Sequence, residues 1–277
     1  MHLETIEFIP RLQQMKRFIE TCECEPTMER KHLFTSLFGL ADEDVDFLLF
    51  NGMLSLDSSL DVCRATLHQM EVQGVERCIR KMLLGLRHEY PSGTKLTVEL
   101  YPMDENDQFG RERLGGVSAW TNWEGDTIHL VVYPANETIH FLKSTVVHEY
   151  NHHYRIATLN NGHADVTLLE KIIREGLAEH FVGDVLGADF HGPWVDALSE
   201  DAAKALWETL YSVHATDIGE QTHALVFGGQ NTDVPLWAGY SVGYYLVKWY
   251  RQLHPLVSVI DLTTKQCKEF IPNFRDA

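Results

Sequence analysis

One predicted helix in the second half of the chain carries two acidic side chains in the middle of its apolar face. At 3.6 residues per turn, six residues fall within about 80° of one another: Leu168, Ile172, Glu175, Glu179, Val182 and Leu186. Burying a carboxylate without a partner costs several kcal/mol. The fold must therefore cover Glu175 and Glu179 with basic side chains or with a metal ion and its other ligands. Exposure of the whole face is the alternative, which the Leu, Ile and Val neighbours disfavour.

A histidine pair that suits such a metal lies on the preceding predicted helix. His148 and His152 are separated by one helical turn, so their imidazoles project from one face and suit two ligands of a tetrahedral Zn²⁺. Glu149 points about 100° away round the helix, where its carboxylate can reach a metal-bound water without ligating the metal. This is the HExxH pattern, in which zinc acidifies a water and the glutamate takes its proton. A chain with 15 histidines can contain this pattern by chance, so the interpretation needs support from a third ligand.

Several residues compete for the third ligand position. We favour Glu175 as the ligand, with Glu179 one turn further on accepting the free ring N–H of a ligand histidine, because metal-bound imidazoles nearly always have such a partner. His153 and His163 are the alternatives. His153 lies about 100° from the direction of His152, which predicts that it faces solvent or a sheet, and His163 falls in a turn.

The hydrophobic period divides the chain into a helical part and a short β-rich part. Residues 1 to about 90 have apolar side chains at helical spacing, up to a break at Tyr90-Pro91-Ser92-Gly93. The period then shortens, which predicts a strand over residues 94–101. Residues 117–123 and 127–133 predict a hairpin around Glu124-Gly125-Asp126.

Helical patterns return after the predicted hairpin. One helix is predicted from Thr138 through Ile156. A second begins near Asp165 or Thr167, where Thr167-x-x-Glu170 has capping-box form, and ends at Gly187 in a left-handed conformation. A third covers residues 236–253. We therefore predict a mostly helical α+β protein with a helical amino-terminal region at residues 1–92 and a second domain at residues 93–277.

Composition restricts the partners and the compartment. The 277 residues include 23 Lys+Arg and 40 Asp+Glu, and the formal net charge of −17 disfavours nucleic acid and anionic membranes. No apolar run is long enough for a membrane span, and the first residues lack a secretory signal pattern. An odd number of cysteines, five, fits reduced thiols. We therefore expect a cytoplasmic protein; its oligomeric state is left open.

Three segments together resemble a known group of enzymes. The first two, residues 148–152 (HEYNH) and residues 174–181 (REGLAEHF), resemble the gluzincin metallopeptidases. With residues 238–244 (AGYSVGY), the chain more closely resembles the YjaZ-like family of predicted zinc-dependent proteases. The resemblance covers roughly residues 95–250. It implies a zincin-like fold, with a small sheet packed on the motif helix, and makes residues 93–277 a metallopeptidase domain.

The resemblance also implies a role for each motif residue. His148, His152 and Glu175 correspond to the zinc ligands, and Glu149 corresponds to the general base. Glu179 stands where the thermolysin-like pattern has an acidic residue that orients a histidine, with Glu in place of Asp. The implied function is hydrolysis of a peptide or protein substrate with Zn²⁺ as the cofactor.

Two further parts of the chain are candidates for contacts with the substrate. Tyr240 is the preferred donor to the oxyanion, with Tyr244 and His223 as alternatives, although both tyrosines could simply pack between helices. The first strand of the hairpin, with Trp120 and Trp123, could pair with an extended peptide, although ordinary sheet packing explains these tryptophans equally well.

Two rival functions remain open. One is a zinc hydrolase that acts on another amide or an ester. The other is a zinc-stabilised interaction or regulatory module without turnover, against which Glu149 argues because a structural zinc site needs no base.

Overall fold

The computed structural model describes residues 5–162, 166–229 and 232–272. His163 and Asp165, considered above as a ligand and as a helix start, lie outside these ranges. The chain forms two compact units that each combine separate stretches of sequence. The first unit contains Met1–Glu89, Thr94–Asn122 and Asp126–Val146, and the second contains Tyr90–Gly93, Trp123–Gly125 and Val147–Ala277.

The first unit contains a mixed four-stranded sheet. Its strands are β1 (Ile6–Phe8), β2 (Leu96–Pro102), β3 (Val117–Thr121) and β4 (Thr127–Val132), in the order β1-β2-β4-β3. β2 is parallel to β1 and to β4, whereas β3 and β4 are antiparallel. The wholly helical interpretation of residues 1–90 is therefore wrong for β1. A strand of three residues is too short to display an alternating pattern, and its partner β2 is remote in sequence.

The predicted hairpin forms, with β3 at one edge of the sheet. Val117 pairs with Val132, and Thr121 pairs with Ile128. β3 ends before its predicted last residue because the Asn122 side chain accepts hydrogen bonds from the backbone N–H groups of Asp126 and Thr127, both at 3.0 Å. β4 ends at Val132, one residue earlier than predicted. The suggested pairing of β3 with a substrate stays a prediction.

Six helices complete the first unit among the residues that are described. They are α1 (Arg11–Cys24), α2 (Arg30–Phe38), α3 (Asp42–Phe50), α4 (Leu60–Gln73), α5 (Val75–Glu89) and α6 (Gln108–Glu112). Their core is aromatic where α1 and α2 meet the sheet: the rings of Phe34 and Phe38 are stacked with centroids 3.8 Å apart, and Phe18 meets Phe34 edge-on at 5.5 Å.

A buried ion pair joins α1 to the sheet. Arg11 Nη2 lies 2.6 Å from Glu99 Oε1, and the Tyr101 hydroxyl donates to Glu99 Oε2 at 2.8 Å. Burial disfavours the charged form of Glu99, but His129 and Arg11 outweigh it and lower the pKa of this carboxyl to about 2. Glu99 therefore stays ionised inside the first unit.

The second unit is helical. Its helices are α7 (Thr138–Leu159), which begins in the first unit and enters the second at Val147, α8 (Leu168–Leu186), α9 (Glu200–Leu206), α10 (Ser212–His214), α11 (Gln221–Phe227), α12 (Ala238–Leu253) and α13 (Val259–Thr263). A π-helical turn at Trp207–Tyr211 joins α9 to α10, and 3₁₀ turns cover Ala188–Phe190 and Cys267–Phe270.

The ends of α8 differ in how well the sequence predicted them. Thr167 caps its start by accepting the Glu170 N–H at 3.3 Å, as the predicted box requires, whereas the Glu170 carboxylate binds Arg155 and Arg174. Gly187 follows its last residue with φ 101° and ψ 160°. Its φ is positive, but the predicted left-handed helical conformation is wrong because ψ is extended.

The mostly helical fold with a small mixed sheet agrees with the predicted α+β class. The zincin-like arrangement and the division of the chain at residue 92 stay predictions. None of the helices in the described ranges is long and apolar enough to cross a membrane.

Candidate metal centre

Three side chains of the second unit bring potential metal ligands together. One ligand atom from each of His148, His152 and Glu175 lies within 4.8 Å of the other two. Glu175 Oε2 is 3.1 Å from His148 Nε2 and 3.5 Å from His152 Nε2. Because both imidazoles direct Nε2 at the same carboxylate oxygen, the three atoms converge on one point.

Helix geometry explains this convergence. His148 and His152 are one turn apart on α7, and their rings are perpendicular with centroids 4.7 Å apart. Glu175 comes from the middle of α8. Two nitrogens and one carboxylate oxygen form a common donor set for a catalytic zinc, which keeps a further position for water. The residues therefore fit the cofactor that the sequence predicts.

Glu179 lies behind the triad. Its Oε1 is 2.8 Å from His148 Nδ1, and its Oε2 accepts the Gly192 N–H at 2.9 Å. When neutral His148 donates from Nδ1 to this carboxylate, the lone pair of Nε2 is available to a metal. Glu179 is 1% exposed, so the contacts with His148 and Gly192 satisfy a carboxylate that would otherwise be buried without a partner.

The electrostatics of the site favour a cation. Burial disfavours the charged form of His148, but hydrogen bonds and charges from Glu175 and Glu179 hold its pKa well above the usual value. Burial likewise opposes ionisation of Glu175, but His152 and His148 lower the pKa of its carboxyl to about 2. Positive charge on imidazole thus balances one buried carboxylate, Glu179, and one partly buried carboxylate, Glu175, and a divalent cation can supply that charge instead.

Tyr240 lies within electrostatic range of the acidic side chains. Burial, and then the charges of Glu175, Glu149 and Glu179, raise the pKa of its phenol well above the usual value. The phenol therefore stays protonated and can donate a hydrogen bond. Its ring also packs, 5.4 Å from the ring of Trp194, as the alternative interpretation expected. Glu149 is 5% exposed, and its role as the base stays a prediction.

The alternative donors are held in other contacts. The Tyr244 ring stacks on His180 with centroids 4.4 Å apart, and this stacking occupies one face of the phenol. His223 meets Trp123 edge-on, with ring centroids 6.3 Å apart. The charges of three site carboxylates act on the Tyr240 phenol, whereas Glu179 alone of these three acts on the Tyr244 phenol, so Tyr240 stays the preferred candidate.

His153 is a buried structural residue. It is 0% exposed, which excludes solvent, one of the two predicted orientations; the ring instead contacts Gly125 in the turn between β3 and β4. Its Nε2 lies 2.8 Å from Ser92 Oγ, and its Nδ1 is hydrogen-bonded to the Gly125 carbonyl oxygen. Both ring nitrogens are thus engaged with short segments of the second unit that precede α7 in sequence.

Sequence reasoning missed two features of the site. Trp194 lies in an irregular segment, with its ring 5.7 Å from that of His148, and no pattern identifies it. Arg155, Glu170 and Arg174 form a buried ion cluster. Arg155 comes seven residues after His148 and so shares its helix face, a spacing that could have drawn attention to it.

Comparison with known protein families identifies the family of this chain. The model of a family described as predicted Zn-dependent protease (DUF2268) matches residues 76–272. The chain belongs to this family. The matched range contains the triad, Glu149, Glu179 and Tyr240, and α1 to α4 lie before it. Membership confirms the YjaZ-like resemblance.

Two curated relatives come from Bacillus subtilis (strain 168). The chain is 27% identical over 188 residues to the uncharacterized protein YjaZ, which covers 67% of this chain and 69% of YjaZ. It is 23% identical over 152 residues to the uncharacterized protein YjfC, covering 52% of this chain and only half, 50%, of YjfC. No solved structure matches the chain significantly.

Proposed function

We propose that this protein is a zinc-dependent metallopeptidase whose metal is held by His148, His152 and Glu175. The observation that carries the proposal is the approach of both Nε2 atoms to one oxygen of Glu175, at 3.1 and 3.5 Å. The contact between Glu179 and His148 Nδ1 supports it, since ligand histidines are usually oriented by such a carboxylate. The family description also supports zinc and proteolysis.

The chain's own residues supply the proton transfers. A bound zinc would lower the pKa of water toward about 7 and polarise the carbonyl of the substrate. Glu149 takes the proton of the attacking water and then delivers it to the leaving amine. The Tyr240 phenol, kept protonated by burial and by the nearby carboxylates, donates a hydrogen bond to the oxyanion.

The proposed substrate is a peptide or protein, and the compartment is reducing. The net charge of −17 argues against nucleic acid and anionic membrane as partners. The five cysteines are free, which fits a cytoplasmic location.

Glu149→Gln tests the peptidase proposal. The variant should bind as much zinc as the wild-type protein, because Glu149 is not a ligand, and should digest unfolded casein about 10²- to 10⁴-fold more slowly. Glu137→Gln, at an exposed position just before α7, is the matched control and should digest casein at the wild-type rate.

The same assay separates the rivals. Equal digestion by the wild-type protein and by Glu149→Gln would refute the assignment of Glu149 as the general base. If the wild-type protein binds zinc, leaves casein intact and cleaves small esters or amides, its substrate is not a peptide. Zinc binding without any turnover would favour the interaction module.

A further inference from the structure

Behind the metal centre, three charged side chains form a buried cluster that ties α7 to α8. Arg155, on α7, binds Glu170 at two points: Nε to Oε1 at 2.9 Å and Nη2 to Oε2 at 2.8 Å. Arg174, on α8, donates from Nε to Glu170 Oε1 at 3.0 Å. One carboxylate thus bridges two guanidinium groups from the two helices that carry the triad.

Contacts other than its ion pair with Glu170 also restrict the Arg155 side chain. Its Nη1 donates to the carbonyl oxygens of Thr263 at 2.7 Å and Lys265 at 2.9 Å, and the residue is 0% exposed. The first carbonyl group lies in the last residue of α13 and the second lies two residues after it, so the cluster also ties the carboxy-terminal segment to α7. Each of the three guanidinium nitrogens of Arg155 donates to an oxygen.

Arg174 is held in a similar way. Its Nη2 donates to both Oδ1 and the carbonyl oxygen of Asn161, each at 3.0 Å, and Asn161 Nδ2 donates to Glu170 Oε1 at 3.0 Å. Asn161 stands between α7 and α8 in the chain. The connection between the helices is therefore fixed to the same carboxylate.

The cluster is adjacent to the proposed ligands along both helices. Arg155 follows His152 by three residues, so it lies on the same face of α7, one turn further on. Arg174 immediately precedes Glu175 on α8. Buried, charge-assisted bonds with two-point geometry restrict the separation and rotation of the helices more strongly than a single hydrogen bond.

We propose that Glu170 is a positioning residue for the metal centre. With Arg155 and Arg174, it sets the spacing of α7 and α8 so that Glu175 meets the two histidines before any metal binds. The inference rests on the metal-binding part of the proposed function and does not require proteolysis. Glu170 touches neither metal nor substrate; it acts through the two arginines.

Zinc affinity of the 277-residue chain tests this role. We expect Glu170→Gln to weaken zinc binding about tenfold or more, the scale seen when groups supporting metal ligands are replaced, as measured by competition with a chromophoric chelator. Leu246→Ala shortens a side chain in the buried core of the second unit. It is the control because it lowers the stability of the fold while leaving the cluster of Arg155, Glu170 and Arg174 intact. It should lower the melting temperature and leave zinc affinity unchanged.

A second variant covers the case in which Glu170→Gln does not fold. Arg155→Lys keeps the positive charge but loses the two-point geometry, so it should also weaken zinc binding while remaining folded by circular dichroism. Hydrogen exchange of the metal-free variants should rise in α7 and α8 and stay at the wild-type level in α11.

The outcomes separate this inference from the peptidase proposal. Wild-type zinc affinity in a folded Glu170→Gln or Arg155→Lys variant would overturn the positioning role, whatever the wild-type protein digests. A wild-type protein that binds zinc tightly and cleaves nothing would refute the peptidase alone. A wild-type protein that binds no zinc would overturn both.

Discussion

The backbones of Gly176 and Gly243 meet where α8 and α12 pack. A Cβ atom at Gly176 would lie 2.2 Å from the Gly243 carbonyl oxygen, and one at Gly243 would lie 1.8 Å from the Ile172 carbonyl oxygen. Only glycine allows this approach, because the obstructing atoms are backbone and cannot move aside. Glu175 immediately precedes one of these glycines, and Tyr240 lies one turn before the other, so the close packing brings the proposed ligand and the proposed donor toward each other.

Gly243→Ala should therefore destabilise the protein. The added methyl group must push α12 away from α8, which we expect to cost about 1–3 kcal/mol, the usual range for overpacking. Gly85→Ala is the matched control: Gly85 is also helical, and a Cβ there has no atom within 4 Å. That control should gain about 0.5–1 kcal/mol from helix propensity. Chemical denaturation measures both changes, and a neutral Gly243→Ala would refute the close approach.

Glu179→Gln should weaken zinc binding. Glutamine keeps the volume of the side chain but loses the negative charge next to His148 Nδ1. Replacing such a partner of a metal ligand typically lowers metal affinity about 10- to 100-fold, so we expect a loss of about 10-fold or more. Asp184→Asn is the control on the same helix, because Asp184 forms a partly exposed ion pair with Arg251. Chelator competition should give wild-type affinity for the control. Equal affinity in both variants would contradict the orienting role.

Tyr240→Phe should reduce turnover without removing the metal. Loss of one oxyanion donor typically lowers kcat about 10²- to 10³-fold, whereas the ring that packs on Trp194 is kept. Tyr244→Phe is the paired comparison, since it preserves the stacking on His180. We expect near wild-type kcat for Tyr244→Phe and unchanged zinc content in both. A larger loss in Tyr244→Phe would reverse the assignment.

The ion pair between Glu99 and Arg11 should make the free energy of unfolding depend on pH. The pKa of this carboxyl is about 2 in the folded protein against an ordinary value of 4.5, so the folded state favours the ionised form. Its contribution is complete above about pH 4.5 and is lost as the pH falls toward 2. Glu99→Gln should therefore be less stable than wild type at pH 7, by a difference that shrinks between pH 4.5 and 2.

Glu7→Gln serves as the control for that titration. Glu7 pairs with Lys95 at an exposed position on the same sheet, where screening leaves an ion pair little net effect. Its stability should follow the wild-type curve across the acidic range. A Glu99→Gln difference that stays constant down to pH 2 would show that the carboxylate contributes no charge-dependent stability.

The residues of the candidate metal site were predictable because the spacing within each of the two helices that carry them is local. Spacing on α7 places His148 and His152 on one face, and the position of Glu175 and Glu179 in an apolar stripe demands partners. The structure brings the triad together and puts Glu179 on His148.

Other features of the fold and of the site depend on contacts between residues far apart in sequence, and a local hydrophobic period does not predict such contacts. β1 pairs with a strand far along the chain, and Trp194 reaches the site from an irregular segment. Arg155 and Glu170 look like ordinary charged helix residues until both are found buried. The extended ψ of Gly187 likewise depends on the path that the chain takes after α8.

Each unit combines separate stretches of the sequence, and this limits how the candidate metal site can be isolated by truncation. The boundary at Val147 falls inside α7, one residue before His148. A fragment starting there would lose the Tyr90 carbonyl that accepts the Tyr150 hydroxyl and the Gly125 carbonyl bound by His153. A cut anywhere between residues 90 and 147 removes at least one of these bonds, so a fragment that keeps both must begin at residue 90 or earlier.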